Sequence, residues 1–330
     1  MDNDANAQGA LREKGGYTCS SAAGTAEKFS DPYWSAKGER RAWVQPTGLR
    51  TLWFNTGTLC NITCRGCYIE SSPRNDRLVY LSRREAREFL EEARRDHPGL
   101  HEIGFTGGEP FMNPDIVGMI DDALSSGYRV LVLTNAMKPM RHHDGALLDL
   151  LSRFANRFAI RVSLDHFTPT GHERIRGPHS WAPTIEGLRW LAANGFDLAV
   201  AARLMGKQDD AVMRSGFAAL FAQNDIKLDA NDPHRLVLFP EMDETADVPE
   251  ITDRCWDILG KKPSDVMCAS SRMVVKRKGA TRPVVVSCTL LPYDDRFELG
   301  ESLKAANRPV SLNHPHCAKF CVLGGASCSG

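Results

Sequence analysis

TLWFNTGTLCNITCRGCYIE, residues 51–70, decides how this chain is read. TLWFNTG (51–57) is a short apolar run closed by glycine, which predicts a short buried strand. The strand runs directly into a loop carrying Cys60, Cys64 and Cys67. Outward from that loop the pattern alternates. Ser82 and Glu85 stand three apart, as in a capping box, and predict a helix from there to about Asp96. HEIGFTGG (101–108) predicts a strand ending in glycines. Asn113-Pro114 reads as an N-cap followed by proline at the first helical position, with Gly127 closing that helix. YRVLVLTN (128–135), RFAIRVSLD (157–165), FDLAVAARL (196–204) and RLVLFP (235–240) predict four more strands. Helices are predicted over 143–155, 182–194 and 210–223.

Six strand–helix alternations imply a parallel sheet with right-handed crossovers. A partial (β/α) barrel and an open doubly wound sheet fit this periodicity equally. Both gather ligands at the C-terminal ends of their strands. The unusual residues fall there: Cys60–Cys67, Gly107–Pro110, Thr134-Asn135 and Ser163–Asp165. Residues 1–48 are rich in Gly, Ser, Asp and Lys and read as a mobile arm, irregular around Tyr33, Trp34 and Trp43. Residues 49–240 form the core. Residues 241–330 break the alternation with an acidic loop (241–250), a hairpin turning near Gly279-Ala280, and a cysteine-bearing tail.

The 330 residues carry no formal net charge, so nothing pulls the chain broadly toward nucleic acid or anionic membrane. No apolar run reaches the length of a membrane span, and the polar start shows no secretory signal. A cytoplasmic protein is expected. In that compartment ten cysteines point to metal before disulfides. They fall into two regions: the triplet, and Cys268, Cys288, Cys317, Cys321 and Cys328 near the C-terminus. Cys19 and Cys255 stand apart.

A structural zinc site normally takes four ligands, often as two Cys-x2-Cys pairs, and only one such pair lies in the triplet. Three close thiolates can instead bind three irons of a cubane and leave the fourth open. The amino and carboxylate groups of S-adenosylmethionine (SAM) can chelate that iron. An electron passed to the adjacent sulfonium then breaks its bond to C5′ and releases a 5′-deoxyadenosyl radical, which abstracts hydrogen from carbon. TGGEP (106–110), after the next strand, adds glycines that permit close backbone approach and a carboxylate that can accept from an ammonium.

CNITCRGCY resembles the cluster loop of the radical SAM superfamily, and TGGEP resembles its glycine-rich SAM motif. The resemblance covers about residues 50–240 and implies a partial (β/α)6 barrel. It implies that Gly107, Gly108, Glu109 and Pro110 hold the methionyl end of SAM, with Glu109 on the amino group. Asn135 and Ser163–Asp165 match strand ends that contact its ribose and carboxylate. Arg176 matches an arginine that pairs with the carboxylate. Gly66 stands where many members place an aromatic residue, and Tyr68 is expected to shield the adenine instead.

The late cysteines resemble the twitch or SPASM extensions of the same superfamily. One auxiliary [4Fe–4S] cluster follows, held by four of Cys268, Cys288, Cys317, Cys321 and Cys328 with one spare. A zinc knuckle using His314 or His316 is the competing reading. His142, His143, His166, His172 and His179 fall in predicted loops and read as surface groups. The implied substrate is a small molecule or a peptide, and the implied reductant an external donor such as flavodoxin or ferredoxin. The arm before residue 50 is too short for a leader-binding domain, which weighs against the peptide. A non-catalytic iron–sulfur sensor or electron carrier is the alternative class. It accounts for the cysteines but not for TGGEP or the six-strand scaffold.

Overall fold

The six apolar runs become six parallel strands, each end within two residues of its expected position. In the computed structural model, which describes residues 27–206 and 208–325, a short β1 (Trp43–Val44) precedes them. They are β2 (Thr51–Asn55), β3 (Glu102–Thr106), β4 (Arg129–Thr134), β5 (Phe158–Ser163), β6 (Asp197–Leu204) and β7 (Leu236–Pro240). They lie side by side in chain order without a skip. A doubly wound sheet reverses its strand order midway. Right-handed crossovers that always step to the next strand leave the helices on one face and let the sheet curl around the other. The sequential order therefore selects the partial barrel over the open sheet.

The helices are α1 (Arg83–Asp96), α2 (Ile116–Ser125), α3 (Lys138–Arg141), α4 (Asp144–Phe154), α5 (Pro169–Arg176), α6 (Trp181–Ala193), α7 (Asp210–Gln223) and α8 (Cys255–Leu259). Ser82 and Glu85 form the expected capping box on α1. The start of α2 differs from expectation. Asn113 does not cap it; its amide donates to the carbonyls of Thr56 (2.9 Å) and Leu81 (2.8 Å), stitching the turn to the end of β2. The helix begins at Ile116 instead. α5 was unanticipated because its middle is polar, although Thr168-Pro169 is a cap followed by an N1 proline. It corrects the reading of His172, which is fully buried, edge-on to Trp181 at 5.7 Å.

The chain after residue 240 extends the same sheet. β8 (Ser271–Val275) pairs parallel to β2, and β9 (Val284–Val286) and β10 (Glu298–Gly300) follow antiparallel. The expected hairpin is β8–β9, and it is a continuation of the barrel sheet. The strands are apolar on both faces because both are covered. Leu52, Phe54, Ile103, Phe105, Val130 and Val132 face the helices. Trp53, Leu131, Met273 and Val275 face inward, against a second core built with Leu290, Leu291, Phe320 and Val322. Gly104 is required there: a Cβ would lie 2.3 Å from the Trp53 ring.

The described part of the arm, residues 27–48, is not loose. β1 pairs antiparallel with β11 (Val310–Ser311), and Tyr33 stacks on Trp43 at 5.4 Å. Arg41, fully buried, pairs with Glu250 at 2.5 Å and donates to the carbonyls of Asp31 and Trp34. Glu250 also accepts from the backbone of Phe29 and Ala36. The rest of the arm lies outside the described residues. Among the described residues no helix is long and apolar enough to cross a membrane.

Removing one partner of a buried, hydrogen-bonded ion pair leaves an uncompensated charge and costs about 3–5 kcal/mol. Arg41→Ala is expected to lower the unfolding free energy by about that amount in denaturant titration. A loss below about 1 kcal/mol, the scale of an exposed pair, would show that the arm does not depend on this clasp.

Candidate functional site

The C-terminal strand ends and the loop after β2 surround one cleft of about 1050 Å³. Its position follows from a backbone seam. Gly108 N donates to Gly57 O (2.8 Å), Glu109 N to Leu59 O (3.1 Å) and Thr56 N to Thr106 O (2.8 Å). A Cβ on Gly108 would sit 2.1 Å from Leu59 O, and one on Gly107 2.5 Å from Gly57 O. Gly107 also has φ +143°, in the region that favours glycine. The two glycines thus admit the cysteine loop's backbone, and both also line the cleft.

Cys60, Cys64 and Cys67 all line this cleft. Cys60 is buried, and the other two are half-buried. Burial pushes the Cys60 thiol up to about 12, with the neighbouring Glu109 carboxylate adding to the effect. Burial also raises Cys64, against the pull of Arg176. Metal binding here must displace thiol protons. The loop is tied down on both sides: Cys60 N donates to Ser72 O (3.1 Å) and Arg65 N to Ile175 O (2.7 Å).

Glu109, expected on the amino group of SAM, is buried and is not among the residues lining the cleft, and both its carboxylate oxygens accept within the protein. It accepts from Thr134 Oγ1 (2.7 Å), Asn135 N (2.9 Å) and Phe111 N (3.2 Å). Burial pushes its carboxyl up to about 7 against these hydrogen bonds. It joins the end of β3 to the end of β4, while Pro110 opens a buried turn of 3-10 helix behind it. Asn135, Ser163, Asp165, Arg176 and Tyr68 line the cleft. Asn135 also donates to Asn61 Oδ1 (2.8 Å), within the cysteine loop.

Asp165 is bound by two arginines. Arg176 Nε reaches it at 2.7 Å, and Arg203 Nε at 2.9 Å. Burial alone would raise this carboxyl; the two guanidinium groups hold it well below the usual carboxylate range. Arg203 also donates to the carbonyls of Arg65 (3.2 Å) and Gly66 (2.9 Å), so it carries the cysteine loop on the end of β6. Sequence reading missed Arg203, although it stands at a C-terminal strand end, where ligand-binding residues collect. It also missed Ser71, whose buried Oγ has no hydrogen-bond partner and lines the cleft beside Cys67. Such an orphaned hydroxyl fits a wall made to meet a ligand. The far wall is apolar, with Leu133, Phe239, Met242, Leu290 and Phe320.

A second cavity of about 420 Å³ is lined by Cys268, Cys288, Cys317 and Cys321, together with His316. Leu290 lines both cavities and forms the wall between them. Cys328 lies outside the described residues, as does Cys19. Cys255 is elsewhere, accepting from Thr252 N at 3.4 Å. Among the described residues no group of three or more His, Cys, Asp or Glu converges tightly enough to hold a single metal ion. The thiols line cavities instead.

Residues 54–211 match the Radical SAM superfamily. The chain carries a radical SAM domain. Over 150 residues it is 29% identical to the antilisterial bacteriocin subtilosin biosynthesis protein AlbA of Bacillus subtilis (strain 168), covering 45% of this chain and 32% of that protein. It is 29% identical over 168 residues to the mycofactocin maturase MftC of Mycobacterium ulcerans (strain Agy99), covering 49% and 41%. The matched stretch thus spans less than half the length of either relative. Two solved structures share the radical SAM fold. Streptococcus suis SuiB bound to S-adenosylmethionine superposes with a TM-score of 0.56 at 12% identity, covering 77% of this chain and 63% of that one. Native anSMEcpe with bound AdoMet also gives 0.56, at 14% identity, covering 78% and 79%. Radical SAM domains work with a [4Fe–4S] cluster and SAM, and the donor set fits: three thiols on one loop, beside a cleft with polar strand ends.

A methyl group at Gly108 would force the seam apart. Gly108→Ala is expected to cost about 1–3 kcal/mol, as overpacking does, and to lower iron uptake on reconstitution with the far-UV circular dichroism unchanged. Full iron loading would show that the seam does not set the cysteine loop.

Proposed function

We propose that this chain is a radical SAM enzyme acting on a peptide, with an auxiliary [4Fe–4S] cluster in its C-terminal cavity. One observation carries the reading: the three loop thiols, the glycine turn and the Asp165 arginine bridge enclose one cleft, and its far wall, at Leu290, is shared with a second thiol-lined cavity. When bound, the cluster and SAM supply a 5′-deoxyadenosyl radical able to take hydrogen from carbon. Cys60, Cys64 and Cys67 would hold that cluster. The backbone at Gly107 and Gly108 would carry the methionyl end of SAM, with Glu109 and Pro110 fixing the turn. Asn135 and Ser163 would meet the ribose, and Arg176, set by Asp165, the carboxylate. Tyr68 would cover the adenine. Leu133, Phe239, Met242, Leu290 and Phe320 would keep water from the reacting carbon.

The peptide class is supported by the relatives named a subtilosin biosynthesis protein and a mycofactocin maturase. A small molecule is the second reading, favoured by 28% identity over 151 residues to the GTP 3′,8-cyclase of Microcystis aeruginosa. The electron would come from an external donor such as flavodoxin or ferredoxin, in the cytoplasm. For the auxiliary cluster, four thiols line the second cavity among the described residues: Cys268, Cys288, Cys317 and Cys321.

Anaerobic incubation of the reconstituted protein with SAM and dithionite is expected to yield 5′-deoxyadenosine and methionine, and Cys64→Ala to yield none. No cleavage by the wild type would return the chain to the class of iron–sulfur sensors or carriers. Peptide pools, and not metabolite pools, should accelerate 5′-deoxyadenosine release.

The auxiliary site has its own test. The variant Cys60→Ala, Cys64→Ala, Cys67→Ala should retain about four irons per chain, with an absorbance that SAM does not perturb. One zinc and no iron would establish the knuckle in its place.

A further inference from the structure

The HPH sequence at 314–316 takes no part in the chemistry above, yet His316 lines the C-terminal cavity beside Cys268, Cys288, Cys317 and Cys321. It is 3% exposed. Its Nε2 meets Glu244 Oε1 at 3.3 Å, and its main-chain N donates to His314 Nδ1 at 3.1 Å. The two rings pack with centroids 4.8 Å apart, and His314 stands edge-on to Phe297 at 6.2 Å. The His316 ring is therefore held on two sides, by the His314 ring and by the Glu244 carboxylate, while the His316 main chain fixes the His314 ring. A carboxylate on one ring nitrogen fixes the tautomer and orientation of an imidazole and leaves its other edge for the site it lines. Glu244 is exposed and belongs to the segment after β7, which also supplies Met242 to the SAM cleft.

Resting on the reading of that cavity as the auxiliary cluster site, we propose that His316 is a positioning residue for the auxiliary cluster, and that Glu244 sets it. Beside the four thiols, the imidazole would be one of two polar groups against the cluster, with Ser287, in a wall that also holds Val266, Leu290, Leu291, Val310 and Leu312. Polar contacts to the sulfurs and nearby charge are the protein's means of setting a cluster's potential. Reduction adds a negative charge. With its Nε2–H given to Glu244, the ring would turn an acceptor edge to the cavity, so that ring and carboxylate would both oppose the reduced form. The two residues would therefore act with the same sign.

The test uses the full chain carrying Cys60→Ala, Cys64→Ala and Cys67→Ala, so that only the auxiliary cluster remains. Midpoint potentials are read by EPR-monitored dithionite titration, beside iron content. His316→Leu and Glu244→Gln are each expected to raise the potential, and His316→Gln, which keeps a polar group, to lie nearer the parent than His316→Leu. Iron content should stay the same in all three. Unchanged potentials, or a lowered potential in either His316→Leu or Glu244→Gln, would overturn the proposal while the cluster reading stands. Loss of iron in both His316 variants with the fold intact would make His316 a ligand and overturn the positioning role. A parent variant without iron would remove the cluster reading and the proposal with it.

Discussion

The site depends on a contact between two backbones. Gly107 and Gly108 carry no side chain at the one place where the turn after β3 must lie against Gly57–Leu59. The three hydrogen bonds of that seam fix the cysteine loop over the strand ends. Without the seam the loop would be a surface segment, and three thiols on a mobile loop would hold no common geometry. Pre-organisation by main-chain packing is stiffer than any side-chain tether, because it spends no rotamer entropy. The cofactor cleft exists because the two loops can approach this closely.

Charge completes what packing begins. Asp165 is buried, and its ionised form is tolerated because Arg176 and Arg203 enclose it. A buried charge without partners would neutralise itself by shifting its pKa. Here the pair of arginines does more than compensate. Arg203 passes on to the carbonyls of Arg65 and Gly66, so one carboxylate at the end of β5 orients an arginine on α5, a strand end on β6 and the cysteine loop at once. Glu109 performs the same service between β3 and β4 with neutral donors. The cleft is thus built from four strand ends joined by two buried acids.

Much of this was legible in the residues. Apolar runs of five to eight residues located the strands, because both faces of the sheet are covered. Cys60, Cys64 and Cys67 marked their loop by their spacing read together with TGGEP after the next strand. Long-range partners were not legible. Arg203 reads as one of many arginines until β6 is laid beside β5 and the cysteine loop. The parallel pairing of β8 with β2, some 200 residues apart in sequence, leaves no local mark. α5 was hidden by its polarity, and with it the burial of His172. The acidic stretch 241–250 read as a loop either solvated or lining the site; Met242 lines the cleft, and Glu241, Glu244 and Glu250 each bind a separate part of the fold.

Two thiol-lined cavities that share Leu290 give the chain its character: one opens among polar strand ends, and the other is lined mostly by apolar side chains. The central claim is that the loop cluster keeps an open iron beside the cleft, so that SAM binds to the cluster itself. EPR of the dithionite-reduced protein, recorded before and after adding SAM, tests this most directly. The account predicts that SAM changes the wild-type spectrum and leaves that of the Cys60→Ala, Cys64→Ala, Cys67→Ala variant untouched. A wild-type spectrum that SAM does not alter would contradict it.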